Sequence, residues 1–185
     1  MLRSYALLMS LLLAIATSSY ATERQFTPVQ IKAINQKAEN GDLQAQLDLA
    51  DRYYKGDGLT QDYTQAAHWY KKLAETGVAN AQLTLGLMYA KGEGVKRNDL
   101  EAVRWLTQAA EQRMSMAQYL LGVANAEGHG VKQDMIKAYM WFEIAAAVDN
   151  QNAIAARQAL IKQLTVNDIA TGDKMATDWW MRFHN

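Results

Sequence analysis

A period of 36 residues runs through the middle of the chain. When the sequence is shifted against itself by that length, three copies align without a gap and eight positions are identical in all three. These positions are Ala45/Ala81/Ala117, Gln46/Gln82/Gln118, Leu49/Leu85/Leu121, Gly56/Gly92/Gly128, Gly58/Gly94/Gly130, Ala66/Ala102/Ala138, Trp69/Trp105/Trp141 and Ala74/Ala110/Ala146. Self-similarity at a period of roughly 20 to 50 residues is typical of proteins in which small units stack and bury their apolar faces against one another. The chain is therefore predicted to be a stack of one supersecondary unit.

The first half of each copy has the pattern of a helix that ends at glycine. In the first copy, Ala45, Leu49 and Tyr53 recur every four residues, so they form one apolar stripe on a helix over about residues 42–55. A Gly-x-Gly sequence follows this helix in every copy, with glycines at Gly56, Gly58, Gly92, Gly94, Gly128 and Gly130. A glycine just beyond a helix can adopt the left-handed conformation that ends it. These six glycines are assigned to a structural turn.

The second half of each copy predicts another helix, with a large ring among small side chains. Asp62, Asn98 and Asp134 stand where this helix begins, and their side chains can accept hydrogen bonds from the free N–H groups of its first turn. Each second helix also has one tryptophan among alanines, namely Trp69, Trp105 and Trp141. We interpret these tryptophans as core residues, since truncating a buried one to alanine costs about 3–5 kcal/mol.

Departures from the period define the domain organisation. We assign residues 1–21 to a signal peptide, 22–40 to an N-terminal capping helix that begins at Thr27-Pro28, and 149–185 to a degenerate fourth repeat and C-terminal cap. The three full repeats lie between these parts, at 41–76, 77–112 and 113–148. In the C-terminal part, the first helix is expected to reach about Leu164 and the next to be capped by Thr165 or Asn167. Gly172 is expected to weaken that last helix, and Trp179 and Trp180 to dock its end onto the third repeat.

The N-terminus has the pattern of a secretory signal peptide. Arg3 is the only charged residue before Glu23, an apolar run follows it, and Ser19-Tyr20-Ala21 fits the small-x-small cleavage site. The alternative is a membrane anchor, but the strongly apolar run is about a dozen residues against the roughly 20 that span a bilayer. Cleavage after Ala21 predicts a periplasmic protein in a Gram-negative bacterium, with full secretion as the alternative. The chain has no cysteine, so neither disulfides nor thiolate metal sites are expected.

Residues 41–148, with the degenerate fourth unit, resemble the Sel1-like repeat family, a relative of the tetratricopeptide repeat. The second copy carries the motif best, through Ala81, Leu85-Gly86, Tyr89, Gly92, Gly94-Val95, Ala102, Trp105 and Ala109-Ala110. The resemblance implies an all-α fold, a right-handed superhelical solenoid of antiparallel helix pairs whose first helices line the concave side. It also implies an adaptor function, since exported bacterial members of the family assist envelope assembly, secretion, motility or signalling. Fold alone does not choose among these.

The residue types needed for catalysis are scarce. Ser115 is the one serine beyond the predicted signal peptide, and it lacks the glycines of a nucleophile elbow. The three histidines, His68, His129 and His184, do not have metal-ligand spacing. We therefore predict no catalytic residue, no metal and no cofactor. Nucleic-acid binding is not expected either, because acidic and basic residues are interspersed and equal in number.

A partner-binding face is predicted on the side of the first helices that turns away from the apolar stripe. Helical geometry places Leu83, Leu87, Met116, Tyr119 and Val123 on this side of the second and third copies. Apolar residues gathered on a concave surface suit a helix or an extended peptide of a protein partner. The alternative is that these residues are buried between repeats. Replacing Tyr119 and Val123 together by glutamate would then unfold the protein rather than only abolish binding.

These observations favour a non-catalytic scaffold of the periplasm that binds a protein partner, possible partners including an envelope or membrane protein. Two alternatives remain open at this point. One is a cell-wall-related hydrolase or small-molecule binder, and the other is a secreted effector that contacts a host protein. The sequence leaves the oligomeric state undetermined.

Overall fold

The computed structural model describes residues 26–183, and all regular secondary structure within them is α-helical. The helices of this part of the chain are α1 Pro28–Glu39, α2 Leu43–Lys55, α3 Tyr63–Glu75, α4 Ala79–Lys91, α5 Asp99–Glu111, α6 Ser115–Glu127, α7 Met135–Ala146, α8 Gln151–Ile161 and α9 Val166–Phe183. The all-α repeat fold predicted from the sequence is confirmed, with the pairs α2/α3, α4/α5 and α6/α7 as the three copies. The predicted signal peptide and His184 lie outside the described residues. None of the helices in residues 26–183 has the length and apolar character needed to cross a bilayer.

The chain divides into two compact units, with the boundary inside α3 between Ala66 and Ala67. In the first unit, α1 packs against α2. Thr27 and Gln30 cap α1 reciprocally, because each side chain accepts a hydrogen bond from the backbone N–H of the other. Phe26 lies against the same unit, where the Arg52 guanidinium is 4.2 Å from the centre of its ring.

In the second unit, each helix packs against the next one or two along the chain. The pairs α4/α5 and α6/α7 form the two copies, α5 contacts α6 between them, and α7 contacts both α8 and α9. The largest core side chains of this unit include Leu106, Leu121, Trp141 and Ile144. Trp105 is only 3% exposed. Trp105 and Trp141 are therefore core residues.

Small residues let paired helices approach closely. A Cβ atom on Gly86 would lie 2.9 Å from the side chain of Leu106, and one on Gly122 would overlap the ring of Phe142. Both neighbours come from the second helix of the same copy. The interior is packed at nearly crystalline density, so even one methyl group at these positions would require a neighbour to move.

Two sets of residues with positive φ recur at the repeat period. The first set comprises both glycines of each Gly-x-Gly turn, with φ between 70° and 76°. The second set lies between the second helix of one copy and the first helix of the next: Gly41, Gly77, Arg113 and Asp149, at φ of 91°, 91°, 66° and 60°. Residues other than glycine rarely adopt this backbone conformation because it brings the Cβ atom close to the backbone. Arg113 and Asp149 are the two such exceptions in this set.

Two details of the C-terminal cap differ from its sequence prediction, whereas its cap residue is Thr165, one of the two predicted. Helix α8 ends at Ile161, earlier than expected, and Thr165 caps α9 through a reciprocal pair of hydrogen bonds with Asp168. Gly172 does not weaken α9, which runs unbroken from Val166 to Phe183. Gly172 is buried against α7, and a Cβ at this position would overlap the ring of Tyr139. The glycine thus permits the close contact between α9 and α7.

Polar contacts, in addition to apolar ones, hold α9 against the rest of the second unit. The Tyr139 hydroxyl donates a 2.8 Å hydrogen bond to Asp173 on α9. Burial raises the pKa of the Tyr139 phenol above its usual range, and this hydrogen bond raises it further. At the end of α9, the ring of Trp179 meets that of Trp141 edge to face at 5.9 Å. The Arg113 guanidinium donates two hydrogen bonds to the carbonyl of Phe183, of 3.0 and 3.3 Å.

Candidate functional site

The structure divides the five predicted partner-binding residues into two groups. Met116 is 41% exposed at the start of α6, whereas the other four are partly buried. Leu83 packs against the core of the second unit, and Tyr119 and Val123 pack against the cluster around Phe142. The rings of Tyr119 and Phe142 have their centres 5.9 Å apart. Leu83, Tyr119 and Val123 therefore contribute to packing between helices, and a glutamate at 119 or 123 is expected to destabilise the fold.

Leu87 and Val123 meet in a small pocket between the second and third copies. This α4–α6 pocket has a volume of about 140 Å³ and receives side chains from α4, α5 and α6. Its apolar lining comprises Leu87, Ala90, Ala102, Val103, Leu106, Leu120, Val123 and Ala124, and Arg97, Asp99 and His129 complete the wall. Of the five predicted residues, Leu87 and Val123 line this concavity.

An ion pair stands at the edge of the α4–α6 pocket. Arg97 donates from Nε and Nη2 to the two carboxylate oxygens of Asp99, at 3.0 and 3.1 Å. These hydrogen bonds lower the pKa of Asp99 below its usual value, and the charges of Arg97 and His129 act in the same direction. His129 also lies 3.1 Å from Glu127. The charged side chains at this edge of the pocket therefore pair with neighbouring side chains of the same chain.

Glycine fixes the wall that carries His129. Gly130 has φ of 71° and stands against the first turn of α5, where a Cβ would overlap the carbonyl of Asp99. Asn98 begins this turn, since its side chain accepts a 3.2 Å hydrogen bond from the Glu101 N–H. Gly130 and the N-cap Asn98 thus bring the Gly-x-Gly turn of the third copy against the second helix of the second copy.

A wider hollow adjoins the pocket, and Arg97 lines both. This Lys96 hollow is open, has a volume of about 610 Å³, and is lined by Tyr89, Val95, Lys96, Arg97, Asn98 and Glu101. Glu101 accepts two hydrogen bonds from Arg104, at 2.8 and 3.0 Å. Within residues 26–183, Lys96 has no ion-pair partner, so its ammonium is the uncompensated charge of the hollow.

Another concavity, which was not predicted from the sequence, lies in the first unit between α1 and α2. It has a volume of about 410 Å³, and its apolar wall includes Phe26, Ile34 and Ala45. The nearby carboxylates are already engaged, since Asp42 accepts from the Ala45 N–H at 3.0 Å and Asp48 from Arg52 at 2.7 Å. It is an open groove whose polar lining also includes Lys37 and Gln44.

The serine and the histidines considered from the sequence lie in separate places within the described part of the chain. In residues 26–183, no three histidine, aspartate or glutamate side chains come together to hold a metal ion. Ser115 lies near the side chain of Asn150, at 3.5 Å. His68 packs edge to face on Trp69, with ring centres 5.0 Å apart. The Ser115 contact joins the starts of two helices, α6 and α8, and the His68 contact lies at the edge of the core beside Trp69.

Comparison with known proteins identifies the repeat. The model of the Sel1 repeat matches three consecutive segments, residues 43–78, 79–114 and 115–150, which together make up more than half of the chain. A curated relative is the secretory immunoglobulin A-binding protein EsiB of Escherichia coli, 43% identical over 44 residues. That match covers 24% of this chain and only 9% of EsiB, so the chain spans a small part of that relative.

Solved structures share the architecture. A protective antigen of uropathogenic Escherichia coli with an SLR fold is 30% identical, with a TM-score of 0.74, over 85% of this chain and 34% of its own. A Sel1 repeat protein from Oxalobacter formigenes is 38% identical, with a TM-score of 0.62, over 70% of this chain and 97% of its own. Cysteine rich protein B of Helicobacter pylori shares the fold at 20% identity and a TM-score of 0.52, over 68% of this chain and 90% of its own.

Sel1 repeat proteins are generally scaffolds for protein interaction and typically lack enzymatic activity. The fold, the period and the turn glycines described above are those of the segments that the repeat model matches. The chain belongs to the Sel1 repeat family and is an all-α repeat solenoid.

Proposed function

We propose that this chain is a non-catalytic scaffold of the bacterial periplasm that binds a protein partner on the surface of α4 and α6. The observation that carries the proposal is the α4–α6 pocket, an apolar concavity bordered by charged side chains. Binding sites for protein segments combine an apolar centre with a polar rim in this way. Met116 extends the surface, because it lies seven residues before Val123 on α6 and so on the same side of the helix.

The proposed periplasmic location rests on the predicted signal peptide. One relative is named for binding secretory immunoglobulin A, and another is described as a protective antigen. These descriptions support a second candidate function, contact of a secreted protein with a host protein. The two candidates share the same binding surface and differ in the compartment.

Site-specific photo-cross-linking in intact cells tests both. Met116→p-benzoylphenylalanine places the reactive group beside the proposed surface, and Met181→p-benzoylphenylalanine places it on α9, where Met181 is also exposed. We expect position 116 to cross-link one protein that position 181 does not, in the periplasmic fraction. Cross-linking only to a host protein added outside the cells would favour the second candidate. Equal cross-linking at the two positions, or none at 116, would contradict the binding surface.

A further inference from the structure

The α4–α6 pocket and the Lys96 hollow differ in chemistry but share Arg97 as a common wall. We infer that they bind two neighbouring side chains of one partner segment, a branched aliphatic side chain in the pocket and a carboxylate beside Lys96. This inference rests on the proposed scaffold function and specifies which partner segment the scaffold selects.

The size of the pocket excludes large side chains and admits one aliphatic side chain. Binding sites for drug-sized molecules have volumes of roughly 300–1,000 Å³, well above the 140 Å³ of this pocket. An apolar cavity of about 150 Å³ is large enough to hold one benzene molecule. Leucine, isoleucine and valine side chains have a comparable or smaller volume, whereas the indole of tryptophan exceeds it. Leu87, Val103, Leu120 and Val123 supply apolar contacts that a charged group could not replace.

The charges beside the pocket select the carboxylate. Asp99 is paired with Arg97, and Glu101 is paired with Arg104. Both acidic groups are therefore already compensated, and the Lys96 ammonium leaves the hollow with one unpaired positive charge. A partner carboxylate would complement this charge, whereas a partner lysine or arginine would be repelled. The partner segment is thus aliphatic at one position and acidic at a neighbouring one.

A peptide array gives a direct test with a defined probe. The purified chain is applied to immobilised hexapeptides in which a fixed leucine is flanked on either side by each amino acid in turn. Peptides with Asp or Glu beside the leucine should bind best, and replacing the leucine by lysine or tryptophan should abolish binding. Binding that does not depend on an acidic neighbour, or that is detectable for none of the peptides, overturns the inference.

Two charge variants distinguish a specific contact from general electrostatics. Lys96→Glu should weaken binding of the best acidic peptide roughly fivefold in solution, as measured by fluorescence anisotropy. Lys132→Glu is the matched control, because Lys132 occupies the same position one repeat later and is also exposed. Equal losses in the two variants would contradict recognition by Lys96.

The pocket is tested by filling it. Ala90→Met introduces a side chain into the α4–α6 pocket and should weaken peptide binding roughly tenfold. If this variant loses stability, methyl NMR of the unmodified chain decides the question. Adding the peptide should then shift the methyl signals of Leu87, Val103, Leu120 and Val123, and shifts confined to other methyl groups would overturn the assignment. Specific cross-linking at position 116 without a preference for aliphatic-acidic peptides would leave the scaffold function standing and remove only this inference.

Discussion

The side-chain amide of Gln118 donates a 3.2 Å hydrogen bond to the main-chain carbonyl of Ala110, eight residues earlier at the end of α5. Gln82 makes the same bond to Ala74 at 3.1 Å, and Gln46 makes it to Ala38 at 2.9 Å. The last carbonyls of a helix have no N–H four residues later within that helix. The carbonyls of Ala38, Ala74 and Ala110 each accept from the backbone N–H of the turn residue three positions later, and the repeated glutamine adds a second hydrogen bond from the next helix. This role explains why glutamine is identical in all three copies although it is buried.

The first prediction concerns the unequal surroundings of two of these glutamines. Gln82 is also bonded by Gln108 and Gln112, whereas the Oε1 atom of Gln118 is buried without a partner among the described residues. Gln82→Leu should therefore destabilise the protein by roughly 2–3 kcal/mol and Gln118→Leu by about 1 kcal/mol, because more bonds are lost at position 82. Urea denaturation measures both. Equal losses would show that the additional partners contribute nothing.

The second prediction transfers a hydrogen-bond donor between copies. The side-chain amide of Gln112 donates a 2.7 Å hydrogen bond to Gln82 Oε1 and a 2.9 Å hydrogen bond to the carbonyl of Gly77. The residue at the same position one repeat later is Val148. Val148→Gln should supply the missing donor to Gln118 and stabilise the protein by about 1 kcal/mol, since a buried acceptor gains its partner. Gln112→Val is the reciprocal control and should destabilise it. An unchanged urea midpoint for Val148→Gln would contradict the equivalence of the two positions.

The third prediction concerns the tryptophan of the second copy. Trp105→Ala should lower the free energy of unfolding by about 3–5 kcal/mol, because it removes a ring that is 97% buried in the core. His129→Ala changes an exposed turn residue and should alter it by less than about 0.5 kcal/mol. Thermal unfolding followed by far-ultraviolet circular dichroism measures both variants. Similar small shifts would refute a core role for Trp105.

The fourth prediction separates two effects of glycine at positive φ. Gly77 has φ of 91° with open space around it, whereas Gly130 combines φ of 71° with close contact to the Asp99 carbonyl. Gly77→Ala should cost about 1 kcal/mol for its backbone conformation alone. Gly130→Ala should cost more, because the turn must also move away from α5. A comparable unfolding midpoint for both variants would mean that the turn is free to shift.

The fifth prediction concerns pH. Hydrogen bonds from the Thr165 hydroxyl and backbone N–H lower the pKa of Asp168 below its usual value. The charged carboxylate therefore stabilises the start of α9 above about pH 4, and this contribution is lost as the pH falls through the folded-state pKa. The melting temperature of Asp168→Asn should lie below that of the unmodified chain near neutral pH and converge with it in acid. A gap that stays constant down to about pH 2 would exclude this origin.

Positions that repeat identically were the most predictable from sequence. The Gly-x-Gly sequence ends each first helix because glycine tolerates the left-handed conformation, and the following Asp or Asn begins the second helix by capping it. Both rules act within a few residues, so the helix order followed from local chemistry. The buried ring of Trp105 followed in the same way from its small neighbours.

Contacts between helices were less predictable. Helical geometry placed Tyr119 and Val123 on one side of α6, but it did not show that Phe142 of α7 covers that side. Gly172 was expected to weaken a helix because propensity considers one helix at a time, whereas the close approach of Tyr139 depends on two. The pocket at Leu87 also depends on three helices, so no single segment of sequence encodes it.

Arg113 makes the copies unequal in a way that matters for re-engineering the array. It occupies a turn position that is glycine in the two earlier copies, and its side chain holds the carbonyl of Phe183 at the end of α9. A duplicated second copy inserted after the third would place Gly77's counterpart where Arg113 is needed, and the terminal helix would lose its anchor. If this protein is lengthened by copying an internal repeat, the insertion should therefore be made before Arg113. The last full repeat then keeps the hydrogen bonds from Arg113 to the carbonyl of Phe183.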